Sequence, residues 1–454
     1  MGYLLQNGGL GMAGDWIITG GRPLQGGVEV PAAKNSVLPL LAAALLCSGP
    51  VRLQNVPRLT DVEDCLALLR GVGCTAGWQG AALAVQGQPM RTDLAPEAAG
   101  RMRASILFCA PLLARLGRVN TVLPGGCRIG ARPIDLHLQG LAQMGVRQLP
   151  AAPGQLTLYA PAGLRGAEIC LSFPSVGATE TLLLAAATAQ GQTVLHGAAK
   201  EPEIVDLAAF LNVCGGCVEG AGTDTIRVQG KRRLAGCTFA PMADRIIAST
   251  LACAVAAAGG RMELAGCAPG LYAPLLEILE QMGCTVERAH DAAAISRFGA
   301  LRGAGNVHTA PYPGLATDAA PLLAAVMLCA QGESSLQDRV FENRFACAGG
   351  FAALGANVRV AERTLYVQPA GALHGAKLTA PDLRGGAALV VAALAARGSS
   401  RLDGVELVRR GYAELDRLLA GLGAQIWQEI PARSGLAKKT PTKKQFCLAI
   451  GAKK

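Results

Sequence analysis

Residues 123–137 read LPGGCRIGARPIDLH: one thiol, two arginines and a glycine-rich turn, set directly before an apolar-periodic run. A cysteine that does chemistry must be exposed and partly thiolate, which a loop, nearby cations or a helix start can provide. Cys127 has Gly125 and Gly126 before it and Arg128 and Arg132 after it. A helix is expected to open at Pro133, with Asp135 in its first turn, where negative charge is favourable. The alternative is a buried filler thiol. Flanking glycines and arginines, in place of aliphatics, favour a reactive loop.

Outward from this loop a phrase recurs: a helical apolar run, a small turn, a short strand, then a second helix ending in a glycine ahead of a β-rich segment. The closing glycines are Gly73, Gly145, Gly215, Gly283, Gly355 and Gly423, at intervals of 72, 70, 68, 72 and 68 residues. Unit one predicts helices over 34–46 and 61–69 around a strand at 51–55, with Thr60 or Asp61 capping the second helix. Unit three repeats this over 175–189, 193–196 and 203–211, and unit four over 244–257, 261–264 and 271–282. Unit five uses 317–330, 335–337 and 342–354; unit six uses 383–396, 400–402 and 411–422. Unit two, 102–145, carries the cysteine loop where the others have a plain turn, and such a departure is where function is expected.

Six units imply three per domain, with a boundary near 236–243. One domain would cover 34–240 and carry the cysteine loop. The other would cover 241–430 and be completed by 14–33, whose first strand at 16–20 precedes unit one. Two connections then cross between the domains, and a cleft between them can close by a hinge.

At 454 residues the chain exceeds the size at which single cores stop growing. Aromatics make up only 4%, which argues against a reader of single-stranded nucleic acid that stacks bases. The net charge of +10 is localised. Of 42 basic residues, seven (Arg433, Lys438, Lys439, Lys443, Lys444, Lys453 and Lys454) lie in an acid-free tail at 431–454, leaving 35 against 32 acidic. That tail reads as a solvated, disordered extension, and no nucleic-acid partner is expected. The start lacks a basic region followed by an apolar core. The apolar runs at 40–47 and 251–258 fall far short of the roughly 18 residues of a span. A cytoplasmic protein without membrane insertion is expected, its fifteen cysteines reduced. The close pair Cys214 and Cys217 lacks the further ligands of a zinc site, so neither metal nor other cofactor is expected.

Lys34 and Asn35 stand at a helix start, where a lysine is electrostatically awkward unless an anion joins it. Arg103, Arg132, Arg344, Arg384 and Arg410 sit at unit junctions; converging on one cleft, they would clamp phosphate and carboxylate groups. Asp318 is either a general base or, with Thr317, a helix cap; Asp244 and Asp382 read as caps. His137, near Cys127, follows a helix start and is a weak partner for a nucleophile.

LPGGCRIGARPIDLHLQGL, AAKNSVLPLLAAALL, MRAS, PSVGATET, KEPEIVDLA, FENRF, DLRGGAALV and RRGY together resemble the UDP-N-acetylglucosamine 1-carboxyvinyltransferase family, from residue 16 to about 430. The resemblance implies an α/β fold of two domains, each of three βαβαββ units, with the active site between them. It implies transfer of the enolpyruvyl group of phosphoenolpyruvate to the 3'-hydroxyl of UDP-N-acetylglucosamine, the step that opens peptidoglycan synthesis and so serves cell wall, shape and division. It implies Cys127 as general acid, Asp318 as acceptor of the hydroxyl proton, and Lys34, Arg132 and Arg410 on the phosphate. Arg384 and Arg344 would lie near the carboxylate. The sugar nucleotide would lie along Arg103, Arg132, Pro133, Ile134, Asp135, Leu136, Ser175, Val176, Gly177 and Val340, with Asn35 and Asp318.

Ile247, Arg409 and Ala413 replace acidic residues of the family pattern. They motivate a second expectation, a catalytically weak paralogue with a regulatory or partner-binding role. The sister enzyme acting on shikimate 3-phosphate shares the fold but lacks the thiol loop.

Overall fold

The computed structural model describes residues 14–125, 129–130 and 132–429; Cys127 and its neighbours Gly126 and Arg128, Ala131, and the basic tail lie outside the described residues. The six repeat glycines mark one local structure. All have positive φ, from 86° at Gly215 to 108° at Gly283. Each closes its helix with the same two bonds: Gly73 N–H donates to the Arg70 carbonyl at 3.0 Å and Cys74 N–H to that of Leu69 at 3.0 Å, and the pattern recurs at the other five. This ending satisfies two orphan carbonyls and needs a residue without a Cβ penalty in the left-handed region. That requirement is why the period is legible as glycines.

Among the described residues the strands form six sheets of one plan and an additional two-stranded pair. In the first, Thr238–Phe239 runs parallel to Val51–Leu53, which pairs antiparallel with Ala82–Gln86, itself antiparallel to Thr75–Gln79. The sheets built on Gln192–His196, Gly260–Ala265 and Ser334–Gln337 follow the same order. In the sheet built on Ser399–Asp403 the N-terminal strand Asp15–Thr19 fills the inner place, antiparallel to that strand and to Gln425–Glu429. Unit two has three strands, and an Asp93–Asn120 bridge takes the parallel edge.

The fold is α/β in two bodies with separate hydrophobic cores among the described residues, one drawn from 32–234 and one from 16–30 with 246–426. In the second, helices Arg245–Ala258, Ala320–Met327 and Leu383–Ala395 pack on one another and are almost wholly buried. A helix apolar on all sides belongs inside a core, and these alanine-rich sequences let backbones approach closely. The two connections between the bodies run side by side: Ala33 N–H donates to the Met242 carbonyl at 2.7 Å and Asp244 N–H to that of Pro31 at 2.8 Å.

Several sequence expectations need correction. The helix after the cysteine loop opens at Asp135, two residues after Pro133. Thr60–Gly71 has Leu59 at its cap position with no side-chain cap, so neither Thr60 nor Asp61 serves there. The expected helix at 317–330 splits into a 3-10 turn, Thr317–Ala319, a helix, Ala320–Met327, and a strand beginning at Ala330. Of 342–354 only Ala348–Ala353 is helical, and 411–422 shortens to Leu415–Gly421. Around 317–344 the side chains of Thr317, Asp318 and Arg344 bond to one another and to Asp338 and Arg384 within the same body, in place of continuing a helix.

Candidate active site

The first helix of every unit, or its 3-10 leader, begins at one cavity of about 490 Å³: Lys34, Arg103, Val176, Arg245, Thr317 and Leu383 all line it. Helix starts carry partial positive charge, so their convergence on one cavity favours an anion there, although Asp244, Asp382 and Ser175 cap N–H groups at several of them.

At one end Lys34 Nζ lies 2.6 Å from Asp61 Oδ2, and Arg410 Nε donates to Asp61 Oδ1 at 2.9 Å. The awkward lysine at a helix start therefore has an internal counter-charge. Its backbone N–H donates to Asp244 Oδ2 at 3.1 Å, while Asp244 Oδ1 caps helix Arg245–Ala258 through Ile246 and Ile247 N–H. Burial pushes the Asp61 carboxyl up, but Lys34 and Arg410 outweigh it and hold the group below its usual range. Arg410 follows the end of helix Val405–Arg409, not a helix start.

At the other end Asp318 lies between two guanidiniums. Arg344 Nη2 donates to Oδ1 at 2.9 Å and Arg384 Nε to Oδ2 at 3.2 Å. Burial raises the Asp318 carboxyl, yet Arg384 and Arg344 prevail and keep it well below the ordinary aspartate range. Asp318 caps nothing. Thr317 donates to Asp338 Oδ2 at 2.5 Å and accepts from Arg344 Nε at 2.9 Å. Asp338 also receives Val340 N–H at 2.8 Å, fixing the turn that brings Val340 to the cavity. Asp382 caps helix Leu383–Ala395 through Arg384 and Gly385 N–H. Arg384 Nη1 is buried without a hydrogen-bond partner.

Between these ends Arg103 Nη2 donates to the Pro133 carbonyl at 2.8 Å. Burial, then the nearby Arg132, bring the Arg103 guanidinium down to about 10. Two cations held close enough to perturb each other favour an anion between them. Asn35, Arg132, Pro133, Asp135, Leu136, Ser175 and Gly177 also line the cavity, whereas Ile134 packs against the first core. Arg132 stacks over Phe341, 5.5 Å from the ring centroid, joining the two bodies. His137 is buried with Nδ1 unpartnered, and burial followed by Arg103 brings its pKa down to about 4, which suits packing better than proton transfer.

The chemistry expected of the cysteine loop rests on Cys127, outside the described residues, but both flanks are anchored. Gly125 packs against the Gly100 carbonyl with no room for a Cβ, and the Ile129 carbonyl accepts Asn343 N–H of the other body at 2.9 Å.

The cavity has an acidic wall that sequence reading missed: Glu180, Glu201 and Glu203. Glu203 is paired with Arg245 at 3.0 Å, and burial, then Glu203 and Glu201, push the Glu180 carboxyl well above its usual value. KEPEIVDLA showed two of these acids, but only folding reveals that they face Arg245 from another unit. Of the departures, Ile247 is buried and Arg409 donates to Gln428 at 2.9 Å, so both are accommodated.

The profile of the EPSP synthase (3-phosphoshikimate 1-carboxyvinyltransferase) family matches residues 18–419. A UDP-N-acetylglucosamine 1-carboxyvinyltransferase of Nitratidesulfovibrio vulgaris is 42% identical over 91% of this chain and 99% of its own. That of Maricaulis maris is 43% identical over 90% of this chain and 97% of its own. The enolpyruvyl transferase NikO of Streptomyces tendae superposes with a TM-score of 0.81 at 27% identity, over 91% of this chain and 99% of that one. An EPSP synthase of Acinetobacter baumannii, at 19% identity and a TM-score of 0.72 over 92% of this chain and all of its own, shares the fold.

Proposed function

The chain belongs to the EPSP synthase family, on the side of the UDP-N-acetylglucosamine 1-carboxyvinyltransferases, and on that premise we propose that it transfers the enolpyruvyl group of phosphoenolpyruvate to the 3'-hydroxyl of UDP-N-acetylglucosamine, releasing phosphate. The reaction would be the committed opening step of peptidoglycan synthesis, in the cytoplasm. The observation that carries this reading is the cavity's charge layout: Lys34 and Arg410 at one end, Arg103 and Arg132 in the middle, Asp318 gripped by Arg344 and Arg384 at the other.

In this reading Lys34, Arg132 and Arg410 hold the phosphate of phosphoenolpyruvate, and Arg344 and Arg384 its carboxylate. Arg103 and the Ser175–Gly177 turn take the nucleotide's diphosphate and uridine, along 132–136 and Val340. Cys127 protonates the vinyl methylene, turning it into a methyl group and leaving positive character on the adjacent carbon. The sugar 3'-oxygen bonds to that carbon as its proton passes to Asp318. The Cys127 thiolate then takes back a proton from the methyl group of the tetrahedral intermediate as the C–O bond to phosphate breaks, which restores the double bond on the sugar, and the proton on Asp318 passes to the departing phosphate or solvent. Asp318 is a weak base while both arginines grip it. A substrate carboxylate that drew Arg344 and Arg384 toward itself would raise its basicity when the hydroxyl proton must move. With the domains taken as 34–240 and as 14–33 with 241–430, these groups would stand on both sides of a hinge.

Phosphate release by the purified protein with both substrates, and by Cys127→Ser, tests the reading. Turnover in the wild type and loss in the variant support it. Absent turnover with retained sugar-nucleotide binding would point to the weak paralogue, and turnover with shikimate 3-phosphate to the sister activity.

A further inference from the structure

We propose that Asp61 is the positioning residue that aligns Lys34 and Arg410, from opposite sides of the cleft, as a prepared pair for the phosphate of phosphoenolpyruvate; this rests on the activity proposed above. Lys34 opens the first helix of its body, where the helix end is already positive, and Arg410 arrives from the other body. Side by side and largely buried, the two cations would repel and turn away. Asp61 prevents this by bridging the two: Oδ2 lies 2.6 Å from Lys34 Nζ and also receives Arg410 Nη2 at 3.4 Å, while Oδ1 receives Arg410 Nε at 2.9 Å.

Asp61 suits the task because it is fixed. It lies in the first turn of helix Thr60–Gly71, where a carboxylate is favoured, and is 3% exposed. Its neighbour Asp64 is engaged elsewhere, with Arg101, whose carbonyl accepts Arg410 Nη2 at 3.3 Å. Asp244 holds the Lys34 backbone. Both long side chains thus have their free rotations removed before a ligand arrives, which lowers the ordering cost of binding. Two cations and one carboxylate leave a net positive charge facing the cavity, so an anion remains attracted.

The test compares Asp61→Asn and Asp61→Glu with the wild-type full chain, measuring kcat and KM for each substrate and inhibition by inorganic phosphate. The asparagine variant is expected to raise the KM for phosphoenolpyruvate and the inhibition constant of phosphate by roughly tenfold to a hundredfold, the span of a lost charged hydrogen bond. The KM for UDP-N-acetylglucosamine should stay within about twofold, and glutamate should restore part of the loss. Equal rises in both KM values, or a fall in kcat with phosphate inhibition unchanged, would overturn the proposal. If the asparagine variant does not fold, the glutamate variant decides by the same split. Should the wild type show no turnover, the activity reading fails by itself, and calorimetric binding of inorganic phosphate to wild type and Asp61→Asn still decides the role of Asp61.

Discussion

Arg344 donates through Nη2 to Asp318 Oδ1 at 2.9 Å across 26 positions of sequence, and the same guanidinium reaches Thr317, the residue before that aspartate. Arg344 thereby helps fix the position of the proposed base, and together with Arg384 it holds the group ionised. Asp318→Asn keeps the shape but cannot take a proton, so turnover is expected to fall by about 10²- to 10⁴-fold while sugar-nucleotide affinity changes little. Near-normal phosphate release by the variant would reject the role.

The same pairing makes stability depend on acid. The Asp318 carboxyl is depressed in the folded state, so its contribution is complete above the ordinary aspartate pKa of about 3.9 and is lost as pH falls below it. Urea titrations between pH 6 and 3 should show the wild type losing stability more steeply than Asp318→Asn at the acid end. Parallel curves would contradict the assignment.

His137 acts in a higher window. Its folded pKa is about 4 against an ordinary value of 6.5. The folded state thus resists protonation as pH falls from 6.5 toward 4, while the unfolded chain accepts it. Stability should decline across that interval by at most about 3 kcal/mol, at 1.36 kcal/mol per unit. His137→Asn should flatten the decline, as monitored by urea unfolding at pH 7 and pH 5.

Asp244 serves two bodies. Its carboxylate caps helix Arg245–Ala258 with bonds of 2.8 and 3.0 Å and receives the Lys34 N–H at 3.1 Å. Asp244→Ala should cost about 1–2 kcal/mol from the cap alone. Asp244→Asn, which can still accept, should retain most of it; equal losses in the two variants would show that the cap is unimportant.

Gly125→Ala places a Cβ into the Gly100 carbonyl oxygen, a backbone atom that cannot rotate away. The flank of the cysteine loop must shift, and since misplacement of catalytic groups by about 1 Å can cost 10²-fold, activity should drop far more than the thermal midpoint. Wild-type activity in this variant would show that the loop's position is not set here.

The sequence by itself determined the repeat and the cations. Helix-ending glycines recur because a left-handed closure excludes other residues, and a period near 70 is therefore printed in Gly73 through Gly423. Lys34, Arg103, Arg384 and Arg410 stand out for a different reason, being charged where a helix or 3-10 turn begins or ends, and Arg344 stands in the turn ahead of Ala348–Ala353. Which acid meets which cation was decided only by tertiary structure. Asp61 looked like a cap and is a bridge; Asp318 looked able to cap and is clamped by two arginines; Glu180 gave no signal and is a buried carboxyl in the wall of the cavity. Partners of this kind lie up to 349 positions apart, as Asp61 and Arg410 do. Local propensity fixes helix ends within a few residues of chain, whereas charge pairing depends on through-space distance, which exists only once the whole chain has folded.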